Sequence, residues 1–168
     1  MEIFNRIKNS KLISIDLEDF YPEGDRIAFD IKDWLYNGIA LKEKDFREYI
    51  KNHDFSKYKN AFVALYCSSD AIIPSWAYLL ISVHLSPYTK RVVVGDLTTI
   101  ETVLYSEIIA NMDASIYAGK HVLIKGCTGK PIPDNAFVEL AQKLVDVATS
   151  VMYGEACSTV PLFKNKKN

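Results

Sequence analysis

Cys67 and Cys127 are the side chains of this sequence best placed to do chemistry. Each stands where a short apolar or β-branched run gives way to a small, polar loop ahead of a helix: 61–66 into Cys67-Ser68-Ser69-Asp70, and 121–125 into Gly126-Cys127. A parallel sheet binds its ligands beyond the carboxyl ends of its strands. Both thiols are therefore expected on one rim, near helix N-termini that favour thiolate, with Lys125 and Lys130 adding positive charge beside Cys127. Such a pair would hold a zinc ion or an iron–sulfur cluster, carry a transferred sulfur, or meet the thiol of a partner. The plainer expectation for a strand-end cysteine is a small buried hydrophobe.

A third run of the same design, 90–94 into Gly95-Asp96, adds Asp96 to that rim, alongside Asp70 and the hydroxyl of Ser68. Two aspartates at neighbouring strand ends could hold a hard cation or orient the substrate of a small hydrolase or transferase. An aspartate ahead of a helix is more often its cap. Cys157 is the third cysteine, but no Cys-x-x-Cys pair accompanies it, and a helix over 133–153 would carry the chain about 30 Å from the rim. It is expected at the opposite edge. Gly126-Cys127-Thr128-Gly129-Lys130 lacks the full phosphate-loop spacing, and Pro131 and Pro133 remove backbone donors, so no nucleotide is expected. A Gly-x-Ser-x-Gly elbow is absent as well.

The elements that must position these residues follow from periodicity. Residues 11–20 and 27–31 alternate apolar with polar around the turn Pro22-Glu23-Gly24-Asp25, which predicts an antiparallel hairpin with Asp16, Glu18, Asp19, Asp30 and Asp33 on its wet face. The runs 61–66, 91–95 and 121–126 are continuously apolar, as expected of a three-stranded parallel core covered on both faces. Helices are predicted at 42–52, 74–85, 98–112 and 133–153. The third would open with the Thr98-x-x-Glu101 capping spacing. The second is apolar nearly all round, which implies burial within the fold or against another subunit. The sum is an α/β domain with a mixed sheet, spanning 1–168, with 164–168 as a frayed tail. No internal repeat stands out.

At 168 residues, 49% hydrophobic and with a formal net charge of −1, the chain fits one well-cored domain and offers no electrostatic attraction for nucleic acid. The start lacks a signal-peptide core and no apolar run reaches membrane-spanning length, so a cytoplasmic address is expected. Three unpaired cysteines agree with a reducing compartment.

The segments Ile15-Asp16-Leu17-Glu18-Asp19-Phe20-Tyr21-Pro22, Leu41-Lys42-Glu43-Lys44-Asp45-Phe46-Arg47, 67–78, 95–105 and Gly154-Glu155-Ala156-Cys157-Ser158-Thr159-Val160-Pro161-Leu162-Phe163 together carry a resemblance. The chain resembles a bacterial family of uncharacterised single-domain proteins, domain-of-unknown-function family 2480. That family has no assigned activity. The resemblance implies an association with iron–sulfur cluster assembly, because the family's genes often neighbour those of sulfur mobilisation. The expectation is an accessory protein working through Cys67 and Cys127 with iron–sulfur assembly proteins as partners, and the competing one is a homodimeric interaction module without chemistry of its own.

Overall fold

The computed structural model describes residues 12–126, 129–155 and 157–165. They form seven strands and four α-helices. In chain order these are β1 (Leu12–Ile15), β2 (Arg26–Asp30), α1 (Glu43–Asn52), β3 (Phe62–Tyr66), α2 (Ser75–Leu85), β4 (Arg91–Val94), α3 (Leu97–Asn111), β5 (His121–Lys125), α4 (Asp134–Val145), β6 (Ser150–Glu155) and β7 (Ser158–Lys164). The α/β class and the mixed sheet are as expected, but the strands divide between two sheets. One has the order β1-β5-β6-β7, parallel except for β7; the other is β2-β3-β4, parallel throughout.

Two expected pairings are corrected by this. β1 and β2 do not pair with each other: β1 lies parallel to β5 and β2 parallel to β3. The run at 121–126 does not extend the β3-β4 sheet, since β5 sits between β1 and β6. The expected helix over 133–153 ends at Val145, and the apolar run Val151-Met152-Tyr153 becomes strand β6.

Two compact units result, a nested one, Glu23–Val103, and a flanking one made of Met1–Pro22 and Leu104–Asn168. Each has its own core. Phe29, Ile31, Phe46, Val63, Leu65, Ile81 and Leu85 fill the nested unit. Ile15, Leu17, Tyr105, Val122, Ile124, Leu140 and Leu144 fill the flanking one.

The two units are copies of one plan, so the chain does contain an internal repeat. Strand pairing runs Arg26, Phe62, Arg91 in the nested unit and Leu12, His121, Ser150 in the flanking unit, at the same rank. In that register Ile50, Asp54, Ser56, Tyr58, Val63, Pro74, Ala77, Leu85 and Gly95 fall on Ile109, Asp113, Ser115, Tyr117, Val122, Pro133, Ala136, Leu144 and Gly154, identical each time. Ile13, Asp16 and Asp19 likewise fall on Ile27, Asp30 and Asp33.

The loops repeat their bonding too. Asp54 Oδ1 accepts from the Ser56 N–H at 2.9 Å, and Asp113 Oδ1 from that of Ser115 at 2.9 Å. The Asn60 N–H donates to the Tyr88 carbonyl at 2.8 Å, and that of Gly119 to Val147 at 3.0 Å. Asn60 and Gly119 share a left-handed backbone, with φ of 61° and 68°. Identities this sparse escape a reading by periodicity, because they fall at capping, turn and core positions rather than in a run.

Candidate functional site

The seven residues expected at a common rim divide between the units. Cys67, Ser68, Asp70 and Asp96 belong to the nested unit, and Lys125 and Lys130 to the flanking one; Cys127 lies outside the described residues. The strands β3 and β5, expected in one sheet, belong to different sheets.

At the nested edge, Cys67 is half-buried and packs against the core. Ser68 ties its loop to the end of β2: its N–H donates to Asp30 Oδ1 at 3.1 Å and its hydroxyl to Oδ2 at 2.6 Å. Burial works to raise the Asp30 pKa, but the hydrogen bonds from Ser68 and Lys32 outweigh it and hold this carboxyl below its ordinary range. Asp70 is exposed. Asp96 shares the carboxyl edge of adjacent parallel strands with Asp70, but it caps α3. Its Oδ1 accepts from the Thr99 N–H at 2.8 Å and the Thr99 hydroxyl at 3.0 Å. Those bonds, the backbone one foremost, lower its pKa. The expected Thr98-x-x-Glu101 box does not form the cap; Glu101 instead pairs with Arg26 at 2.7 Å, both side chains nearly out of solvent.

At the flanking edge, Lys125 Nζ lies 3.3 Å from Asp16 Oδ2, and Asp16 Oδ1 accepts from the Glu18 N–H at 3.0 Å. Glu18 Oε1 accepts from the Gly129 N–H at 2.6 Å, and Lys130 Nζ stands 5.1 Å from the Tyr21 ring centre. Cys157 is exposed in the turn between β6 and β7. Because β6 runs parallel to β5, that turn lies at the carboxyl edge of the sheet, not the opposite one as expected. Among the described residues no three His, Cys, Asp or Glu side chains group as metal ligands. The carboxylates of Asp16, Glu18, Asp30 and Asp96 are engaged in holding backbone.

The feature these edges do not explain is α2. Its residues Ala77, Ile81 and Leu85 turn inward and are fully buried. Trp76, Leu79, Leu80 and Val83 form a second apolar stripe at i, i+3, i+4, i+7 spacing. Leu79 is 63% and Val83 67% exposed. The stripe floors a groove of about 430 Å³ with Glu43 and Arg47 of α1 at its side. Those two residues pair at 2.9 Å and are themselves exposed.

The repeat supplies an internal control for this face. Ala136, Leu140 and Leu144 of α4 occupy the inward places of Ala77, Ile81 and Leu85 and are equally buried. Outward, Asn135, Val138, Glu139 and Gln142 stand where α2 has Trp76, Leu79, Leu80 and Val83. The same helix in the same plan is therefore stable with a mostly polar outer face. Trp76 and Leu80 pack partly against the core of the nested unit, so the part of this face that folding leaves uncovered is Leu79 and Val83.

Among the described residues no helix is long and apolar enough to cross a membrane. No curated protein and no solved structure matches the chain. The family model described as "Protein of unknown function (DUF2480)" matches residues 1–165, and the chain belongs to that family.

Proposed function

We propose that the chain is a non-catalytic, homo-oligomeric interaction module that docks a second copy of itself on the outer stripe of α2. The observation carrying this reading is the contrast between α2 and α4, one buried face in common and the other apolar only in α2. Trp76 is the kind of large, rigid residue that anchors an interface. Glu43 and Arg47 give the groove equal and opposite charges one helical turn apart. A two-fold contact is self-complementary, so it would set Arg47 of each copy beside Glu43 of the other. The near-zero net charge of the chain opposes such pairing little.

Sulfur or metal handling through Cys67 and Cys127 is the second reading; among the described residues no three His, Cys, Asp or Glu side chains group as metal ligands, and the contrast between α2 and α4 favours the interaction module.

Sedimentation velocity over a wide concentration range tests it. The wild-type chain self-associates, and Leu79→Glu with Val83→Glu weakens association by about thirtyfold or more, the size of an interface hot spot. Glu43→Arg and Arg47→Glu proteins each associate more weakly alone and recover when mixed. A wild type that stays monomeric throughout overturns the proposal.

A further inference from the structure

We propose that the nested unit carries a binding site for a guanidinium group, in the pocket between the turn at Tyr36 and the outer face of α1. The pocket measures about 420 Å³, and its walls include Tyr36, Asn37, Asp45, Glu48, Tyr49 and Asn52. It shares no lining residue with the α2 groove, so the two proposals stand or fall separately.

Two of its walls are aromatic. Tyr49 stacks on the buried Trp34, ring centres 5.8 Å apart and planes within 10°. The backbone of Tyr36 is set by a tight turn: its N–H donates to the Ala40 carbonyl at 2.7 Å, and Asn37 and Gly38 take φ of 52° and 69°. The Lys42 ammonium rests 3.1 Å from the Tyr36 ring centre, so this ring already carries a cation of the chain itself and Tyr49 is the wall on which a ligand would stack.

Two other walls are acidic. Asp45 and Glu48 stand three residues apart, neighbours on one side of α1. Neither makes an ion pair among the described residues. Asn52 fixes Glu48, its Nδ2 donating to the Glu48 carbonyl at 3.0 Å and to Oε1 at 3.3 Å.

A planar, delocalised cation fits this combination. Guanidinium stacks on a ring and donates a forked pair of N–H groups to a carboxylate, while an ammonium presents only a point charge. The two units differ at Asp45 and Tyr49, which are exposed in the nested unit and whose counterparts Leu104 and Ile108 are buried or partly buried in the flanking one. In the flanking unit Leu104, Glu107, Ile108 and Asn111 take the places of Asp45, Glu48, Tyr49 and Asn52. The Glu–Asn pair is kept, with Asn111 Nδ2 donating to the Glu107 carbonyl at 2.8 Å. Asp45 and Tyr49 are not kept, and they are the side chains a guanidinium would touch.

The guanidinium could belong to free arginine or to an arginine side chain of a polypeptide. Isotope-labelled full-length protein is titrated with N-acetyl-arginine amide and with the peptide Gly-Gly-Arg-Gly-Gly, each beside its lysine counterpart, reading the Trp34 indole N–H and the Asn52 side-chain amide by NMR. Saturable shifts are expected at both, with arginine at least about threefold tighter than lysine and Asp45→Asn with Glu48→Gln weakening it at least about tenfold. Free L-arginine is titrated alongside; a peptide that binds more tightly than free arginine assigns a polypeptide source, and free arginine that binds at least as tightly as the peptide assigns the free amino acid. No saturable shift, shifts undiminished by the double substitution, or lysine binding as well as arginine overturns the site.

Discussion

His53 sits among the rings of Phe29, Trp34, Phe55 and Tyr58, and its Nε2 lies 3.0 Å from the Tyr58 hydroxyl. Burial lowers its pKa below 6.5, helped by the charge of Lys57 and opposed by that of Asp54. Burial also pushes the Tyr58 hydroxyl up to about 12. A neutral imidazole that accepts from Tyr58 O–H satisfies both directions. A base with a depressed folded pKa binds fewer protons folded than unfolded, so stability is full above pH 6.5 and falls as the pH drops below it toward the folded value. Asp30, Asp54, Asp96 and Asp113, all depressed from 3.8, lose their contribution only at lower pH. Urea midpoints across pH should therefore decline in two stages for the wild type, and His53→Gln should abolish the upper one.

The repeat makes a second expectation at this scale. Asn60 holds a left-handed φ that costs an L-residue about 1 kcal/mol, where its counterpart is Gly119. Asn60→Gly should leave the unfolding midpoint nearly unchanged or raise it slightly, while Gly119→Val should lower stability by about 1–2 kcal/mol. Of the site residues, the capping of Asp96 was legible as a general tendency of aspartate ahead of a helix. The Asp30–Ser68 tie was not, because the two residues are brought together only by the pairing of β2 with β3.

Elements with strong apolar runs were readable from sequence: 61–66, 91–95 and 121–126 became β3, β4 and β5, and 42–52, 74–85 and 98–112 became α1, α2 and α3 within a residue or so. Their partners were not readable, since a covered strand looks the same whichever neighbour covers it. β6 was hidden because Val151-Met152-Tyr153 continues the apolar pattern of the helix before it. The double character of α2 was legible as an all-round apolar helix, and the structure separates its two faces. Ile81→Ala on the inward face should cost about 2–5 kcal/mol of unfolding free energy, because the neighbouring elements cannot close the cavity. Val83→Gln on the outward face should change the stability of the monomer by no more than about 0.5 kcal/mol in chemical denaturation.

For the whole molecule, a plan used twice with different outer faces suggests that one copy keeps the fold's minimum while the other carries added surfaces. Both proposals fall on the nested unit, at positions where the flanking unit carries different side chains. The most direct test removes the exposed apolar residues of the α2 outer face, by Leu79→Glu and Val83→Gln, and compares this protein with the wild type by sedimentation equilibrium, with circular dichroism confirming that both are folded. The expected result is a self-associating wild type and a folded, monomeric variant. Association that is unchanged in the variant, or absent from both proteins, would contradict the assignment of α2 as the docking helix.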